Sequence, residues 1–145
     1  QRQFLHPMLK AFDAPSREIC AVRRVRTNTP LQAFVTLNDP VYVEAAQALG
    51  RRMVREGGSS LEERLAFGWK LATTKPATEA QVLSLSALWK KTHARYAEDS
   101  ASALKLATDP LGPLPKDLFP SPADAAAWTL VGNVLLNLDA VLTRN

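Results

Sequence analysis

The sequence contains few of the residues that build metal, disulfide or haem sites. It has one cysteine, Cys20, and two histidines, His6 and His93, among 145 residues. One cysteine cannot form an internal disulfide framework or a multi-cysteine metal site, and Cys20 is not part of a Cys-x-x-Cys-His haem-attachment pattern. Neither histidine has a ligand-like neighbour at helical spacing. We therefore expect no catalytic set, no metal site and no cofactor bound by this segment.

Long apolar runs and glycine-rich loops are also absent. No stretch approaches the roughly 20 apolar residues of a membrane span, and none of the six glycines belongs to a phosphate-binding loop. The aromatic residues, 7% of the chain, are not interleaved with basic ones as a base-stacking surface requires. These absences predict a chain without a membrane span and disfavour nucleic acid as a partner.

The composition is that of one packed domain with an uneven charge distribution. Apolar residues make up 46% and charged residues 22%, so we treat 1–145 as a single helical domain. The net charge of +4 arises within residues 1–60, where nine Lys/Arg face five Asp/Glu. Arg17, Arg23 and Arg24 either pair with carboxylates of later helices or, with Asn28, bind an external anion. Of these two interpretations, internal pairing is favoured.

Proline and capping residues predict where the helices begin. In Thr29-Pro30-Leu31-Gln32, Thr29 is a predicted N-cap, Pro30 the first helical residue and Gln32 the partner in a capping box. Asn38-Asp39-Pro40 repeats this pattern, because Asp39 can cap the helix that Pro40 starts. Ser60 with Glu63 and Thr78 with Gln81 are the predicted capping boxes of two further helices. Residues 1–28 form an irregular basic lead-in, and five prolines make 109–122 a connector. We predict an all-α, irregular bundle of five or six helices with this extended Pro-rich connector before the last helix.

Two packing expectations follow from the apolar spacing. Leu31, Phe34, Val35 and Leu37 predict a short buried helix after Pro30. The last helix is predicted over about 122–143, with Asn137 buried in it and hydrogen-bonded to the backbone of another element.

Several segments carry a resemblance to a known family. They are Phe12–Cys20, Arg23-Arg24, Thr27–Ala33 and Leu37–Pro40, with the ending from Trp128 through Val134–Asp139. The pattern resembles the domain of unknown function 1553, the C-terminal domain of large planctomycetal cytochrome-associated (PSD1-type) proteins. The residues that match the family pattern in position, without an assigned role, are Asp13, Arg17, Arg23, Arg24, Asn28, Gln32, Asn38 and Asp39.

The resemblance implies that the chain is a C-terminal piece of a larger exported protein. It implies an extracytoplasmic location, periplasmic or at the cell surface, and it leaves open a haem on another domain or subunit. The resemblance assigns no catalytic residue to this chain.

Three functions are weighed on this basis. The first is a non-catalytic interaction or scaffold domain whose partners are other domains of the parent protein or partner subunits. The second is a module that binds acidic or sulfated glycan through Arg17, Arg23 and Arg24. The third is part of a haem-dependent oxidoreductase.

Overall fold

The computed structural model describes residues 30–115 and 117–142, and within these ranges it contains helices and no strand. The helices are α1 (Pro30–Asn38), α2 (Pro40–Glu56), α3 (Leu61–Thr73), α4 (Glu79–Ala97), α5 (Ser100–Thr108), α6 (Pro122–Leu136) and α7 (Asp139–Leu142). The predicted all-α bundle is confirmed. The described residues alone form seven helices rather than five or six, because the end of the chain divides into α6 and α7.

Short-range capping starts several helices where the sequence predicts. The Asp39 carboxylate accepts a hydrogen bond from the Val41 N–H, and Pro40 is the first residue of α2. The boxes Ser60/Glu63 and Thr78/Gln81 are both complete, so two orphan N–H groups are satisfied at each of these helix starts. Hydrogen bonds from the backbone of Ser60 and then Ser59 hold the pKa of Glu63 below its ordinary value.

Helix α6 is the centre of the bundle, and α2 is its most extensive partner. The two helices approach closely at two glycines. A Cβ at Gly50 would lie 2.9 Å from the Trp128 carbonyl oxygen, and a Cβ at Gly132 would lie 2.5 Å from the Ala46 carbonyl oxygen. The missing side chains therefore let the two backbones touch, which fixes how the helices cross.

The hydrophobic core lies around this contact. Met53 of α2, Leu65 of α3, and Val131 and Leu135 of α6 are fully buried. Leu85 of α4 belongs to the same cluster, together with Val54 and Trp128. The apolar faces of α2, α3, α4 and α6 therefore meet in one core.

The last helix is shorter than predicted. Helix α6 ends at Leu136 rather than continuing to 143, and the Asn137 N–H closes its last turn by donating to the Asn133 carbonyl at 3.1 Å. Asn137 is only half-buried, and its side chain meets a side chain of α1 instead of a backbone group. The helix is capped at Asn137, and Asp139 starts the single turn of α7.

Helix α1 also differs from its prediction. Its buried residues are Gln32 and Thr36, whereas Leu31, Phe34 and Leu37 are exposed and Val35 is half-buried. The apolar spacing does identify one face of a helix. The spacing alone does not show that the rest of the described bundle packs against the opposite, polar face of α1.

Candidate functional site

Part of the predicted binding cluster lies outside the described residues. Arg17, Arg23, Arg24 and Asn28, together with Asp13 and Thr29, all precede Pro30, where α1 begins. Their pairing with later carboxylates or with an anion therefore stays a prediction.

The other predicted motif residues meet at the junction of α1 and α2. Pro30 is the first residue of α1, and Gln32 lies on its buried side. Asn38 ends α1, with its side-chain amide donating to the Phe34 carbonyl at 2.8 Å. Asp39 and Pro40 then form the start of α2. The motif therefore builds a sharp helix–helix junction that orients α1.

The underside of α1 is attached to α6 by polar contacts. Thr36 is 1% exposed, and its hydroxyl donates to Oδ1 of Asn137 at 2.5 Å. The Asn133 amide lies 3.5 Å from the Leu37 carbonyl, and the buried Oδ1 of Asn133 has no hydrogen-bond partner. Asn133 thus makes the side chain-to-backbone contact that was predicted for Asn137.

The opposite side of α1 exposes large apolar side chains. Leu31 is 59% exposed, Phe34 64%, Leu37 44% and Val41, at the start of α2, 62%. The first three follow one another at intervals of three residues and are therefore neighbours on the helix surface. We call Leu31, Phe34 and Leu37 the α1 outer face. Clustered exposed apolar residues mark interaction surfaces, whereas isolated ones need no explanation.

Two residues of α2 hold the Pro-rich connector, and no sequence motif identifies either of them. Gln47, 1% exposed, donates to the carbonyls of Leu106 and Asp109 and accepts from the Leu111 N–H. Arg51, one turn later, donates to the Gly112 carbonyl at 2.7 Å. Burial, and then the nearby positive charge of Arg55, lowers the pKa of Arg51. The only sequence signal was their spacing of four residues beside an apolar stripe, which is too common to identify a contact about 60 positions away.

The described residues offer no assembled metal site. No group of three or more His, Cys, Asp or Glu in 30–115 and 117–142 is arranged to hold an ion. Within the same ranges no helix has the combined length and hydropathy needed to cross a bilayer.

Comparison with known proteins gives a family and nothing closer. A family model described as PSD1, a protein of unknown function (DUF1553), matches residues 1–89. The match includes the Asp13-to-Pro40 motifs and ends within α4, so the resemblance seen at the closing helix lies outside it. No curated protein and no solved structure matches the chain.

Proposed function

Since the chain belongs to the PSD1 family of unknown function (DUF1553), we propose that it is a non-catalytic helical interaction domain of a larger extracytoplasmic, cytochrome-associated protein. Its contact surface is the α1 outer face. The observation that carries the proposal is the reversed orientation of α1, which buries Gln32 and Thr36 while Leu31 and Phe34 are exposed.

The energetics of this orientation favour a partner. Each large apolar side chain left exposed lacks the roughly 1.5–3 kcal/mol of stabilisation that full burial would give. The polar underside gives little in return, because net hydrogen-bond contributions are about 1 kcal/mol each. A partner seated on Leu31, Phe34 and Leu37 would recover the forgone burial.

The occupant is another domain of the same parent polypeptide. Helix α1 is the first described helix, and Leu31 is its second residue, so a domain joined ahead of residues 1–29 would be tethered to the bundle at the start of α1. A neighbouring domain linked on that side would have a high effective concentration at this face, so a modest apolar contact would suffice to dock it.

The experiment pairs two leucines of similar exposure. Leu31 is 59% exposed on α1, and Leu83 is 63% exposed on α4. Leu31→Ser, alone and with Phe34→Ser, is compared with Leu83→Ser in binding to the separately expressed remainder of the parent protein by titration calorimetry. We expect the double variant to weaken binding at least tenfold and Leu83→Ser to leave the affinity unchanged.

Three results would contradict the proposal. Equal losses for Leu31→Ser and Leu83→Ser would mean that the face has no special role. A large drop in the stability of the isolated chain on Leu31→Ser would mean that the face is covered within the chain itself. A dimer that forms with rising concentration and is abolished by Leu31→Ser would make a second copy the occupant.

The two other functions weighed from the sequence stay predictions. The glycan-binding module depends on Arg17, Arg23 and Arg24, for which no contact is described. The oxidoreductase function depends on a haem in another domain or subunit.

A further inference from the structure

A cleft of about 160 Å³ lies at the other end of α6 from α1. Its walls come from the end of α2, the start of α3, the middle of α4, the connector and the first turns of α6. The lining residues include Val54, Arg64, Trp89, Phe119, Asp124 and Trp128. A volume well below the roughly 300–1,000 Å³ of drug-sized pockets suits a single ring with one polar substituent.

The body of the cleft is aromatic and rigidly held. Trp128 is 3% exposed, and its ring centroid lies 5.9 Å from that of Trp89 at an angle of 54°. Trp89 is also stacked on His93, with centroids 5.0 Å apart and planes 14° apart. These contacts on two sides fix the Trp89 ring, so the wall is formed before any ligand arrives.

The one carboxylate of the cleft is already engaged. Oδ2 of Asp124 accepts from the Ser121 hydroxyl at 2.6 Å, and Oδ1 lies 3.6 Å from Nε2 of His93. Asp124 is therefore tied into the start of α6 and is a poor partner for an incoming cation.

Arg64, by contrast, has hydrogen-bond donors without partners. Arg64 donates from Nε to the Gly58 carbonyl at 2.9 Å, and its two Nη groups have no hydrogen-bond partner among the described residues. The indole N–H of Trp89 also lacks an acceptor, but it is buried and so does not itself face a ligand in the cleft. The cleft thus combines an aromatic body with the unpartnered Nη donors of a guanidinium, whose planar fork matches a carboxylate.

From these unpartnered donors we propose that the cleft binds a small apolar carboxylate. The ligand's ring or branched chain lies against Trp89, Trp128 and Phe119, and its carboxylate pairs with the Arg64 guanidinium. This site is separate from the α1 outer face and does not depend on the function proposed for that face.

The test uses benzoate on the full chain, with benzamide and benzyltrimethylammonium as neutral and cationic analogues. Binding is followed by the NMR resonance of the Trp89 indole N–H, assigned through Trp89→Phe. We expect benzoate to shift this resonance with saturation and to bind at least tenfold more tightly than either analogue. Arg64→Gln should weaken benzoate binding at least tenfold.

Arg52→Gln is the matched control. Arg52 is an exposed arginine of α2, two residues before Val54 and so on a different face of that helix, and its substitution should leave benzoate binding unchanged. If Arg64→Gln disturbs the fold, Arg64→Lys keeps the charge without the fork and should give an intermediate affinity.

Several outcomes would overturn the proposal. Benzamide binding as tightly as benzoate would remove the role of the charge, and tighter binding of benzyltrimethylammonium would assign the site to cations held by Asp124. An affinity unaffected by Arg64→Gln, or no movement of the Trp89 resonance at tens of millimolar benzoate, would equally exclude the carboxylate site.

Discussion

Two of the contacts that helix α6 makes, one with α2 and one with α1, differ in character. Against α2 it packs backbone to backbone at Gly50 and Gly132, next to fully buried Met53 and Val131. Against α1 its contacts are polar, and one buried oxygen, on Asn133, has no partner.

The contact of α6 with α2 stabilises the fold, whereas its contact with α1 orients an exposed apolar surface. Burial of apolar area is the dominant stabilising term, so the α2 contact contributes far more than the α1 contact. A helix held mainly by polar contacts opens at lower free energy than the core. We therefore expect α1 to be the helix whose attachment responds to a partner.

The largest loss of stability is expected at Gln47, a buried residue of α2 whose polar side chain holds the connector. Gln47→Met should cost about 3 kcal/mol, because it leaves two carbonyls and one N–H without partners, at about 1 kcal/mol each. Urea unfolding measures the loss. Ala48→Met places the same side chain at the neighbouring exposed position and should change stability little. A small loss at Gln47 would mean that the connector is not held through this residue.

The next effect is expected at the close approach of α2 and α6. Gly132→Ala should destabilise the protein by about 2 kcal/mol, since the new Cβ would lie 2.5 Å from the Ala46 carbonyl oxygen and force the helices apart. Ser84→Ala, on the exposed face of α4, is the control for helix propensity and should stay within about 0.5 kcal/mol. Equal stabilities, measured by urea unfolding, would show that the helices separate freely and that the two contacts of α6 are alike.

The smallest effect is expected at Thr36. Thr36→Val removes the hydroxyl that meets Asn137 and should cost about 1 kcal/mol, felt mainly in α1. Amide hydrogen exchange should accelerate in α1 while the protection of α2 and α6 is unchanged. Thr108→Val, whose hydroxyl bonds only within α5, should alter neither. Faster exchange throughout α6 would mean that α1 is part of the cooperative core.

The parts of the fold that the sequence predicted are local. The Ser60/Glu63 box and the Asp39-Pro40 start depend on residues within three positions of one another, so spacing alone identifies them. The end of α6 was not predictable in this way, because the contact that accompanies it joins Asn137 to Thr36, 101 positions away.

The α1 outer face and the cleft were less predictable from the sequence than the helices themselves. The apolar spacing of Leu31, Phe34 and Leu37 is the same whether the face is buried in the bundle or left for a partner. The cleft depends on five segments of the chain meeting at Trp89 and Asp124, and no motif within any one segment reports such a meeting.

The glycines of the bundle differ in whether a second substitution could make room for a side chain at the glycine position. At Gly132 and Gly50 the obstacle to a side chain is main chain, which every amino acid carries, so no second substitution can clear it. At Gly68 the obstacle is the flexible side chain of Met53, which a smaller residue would remove. In relatives that keep this fold, positions 50 and 132 should therefore stay invariant, while positions 68 and 53 should exchange bulk as a covarying pair.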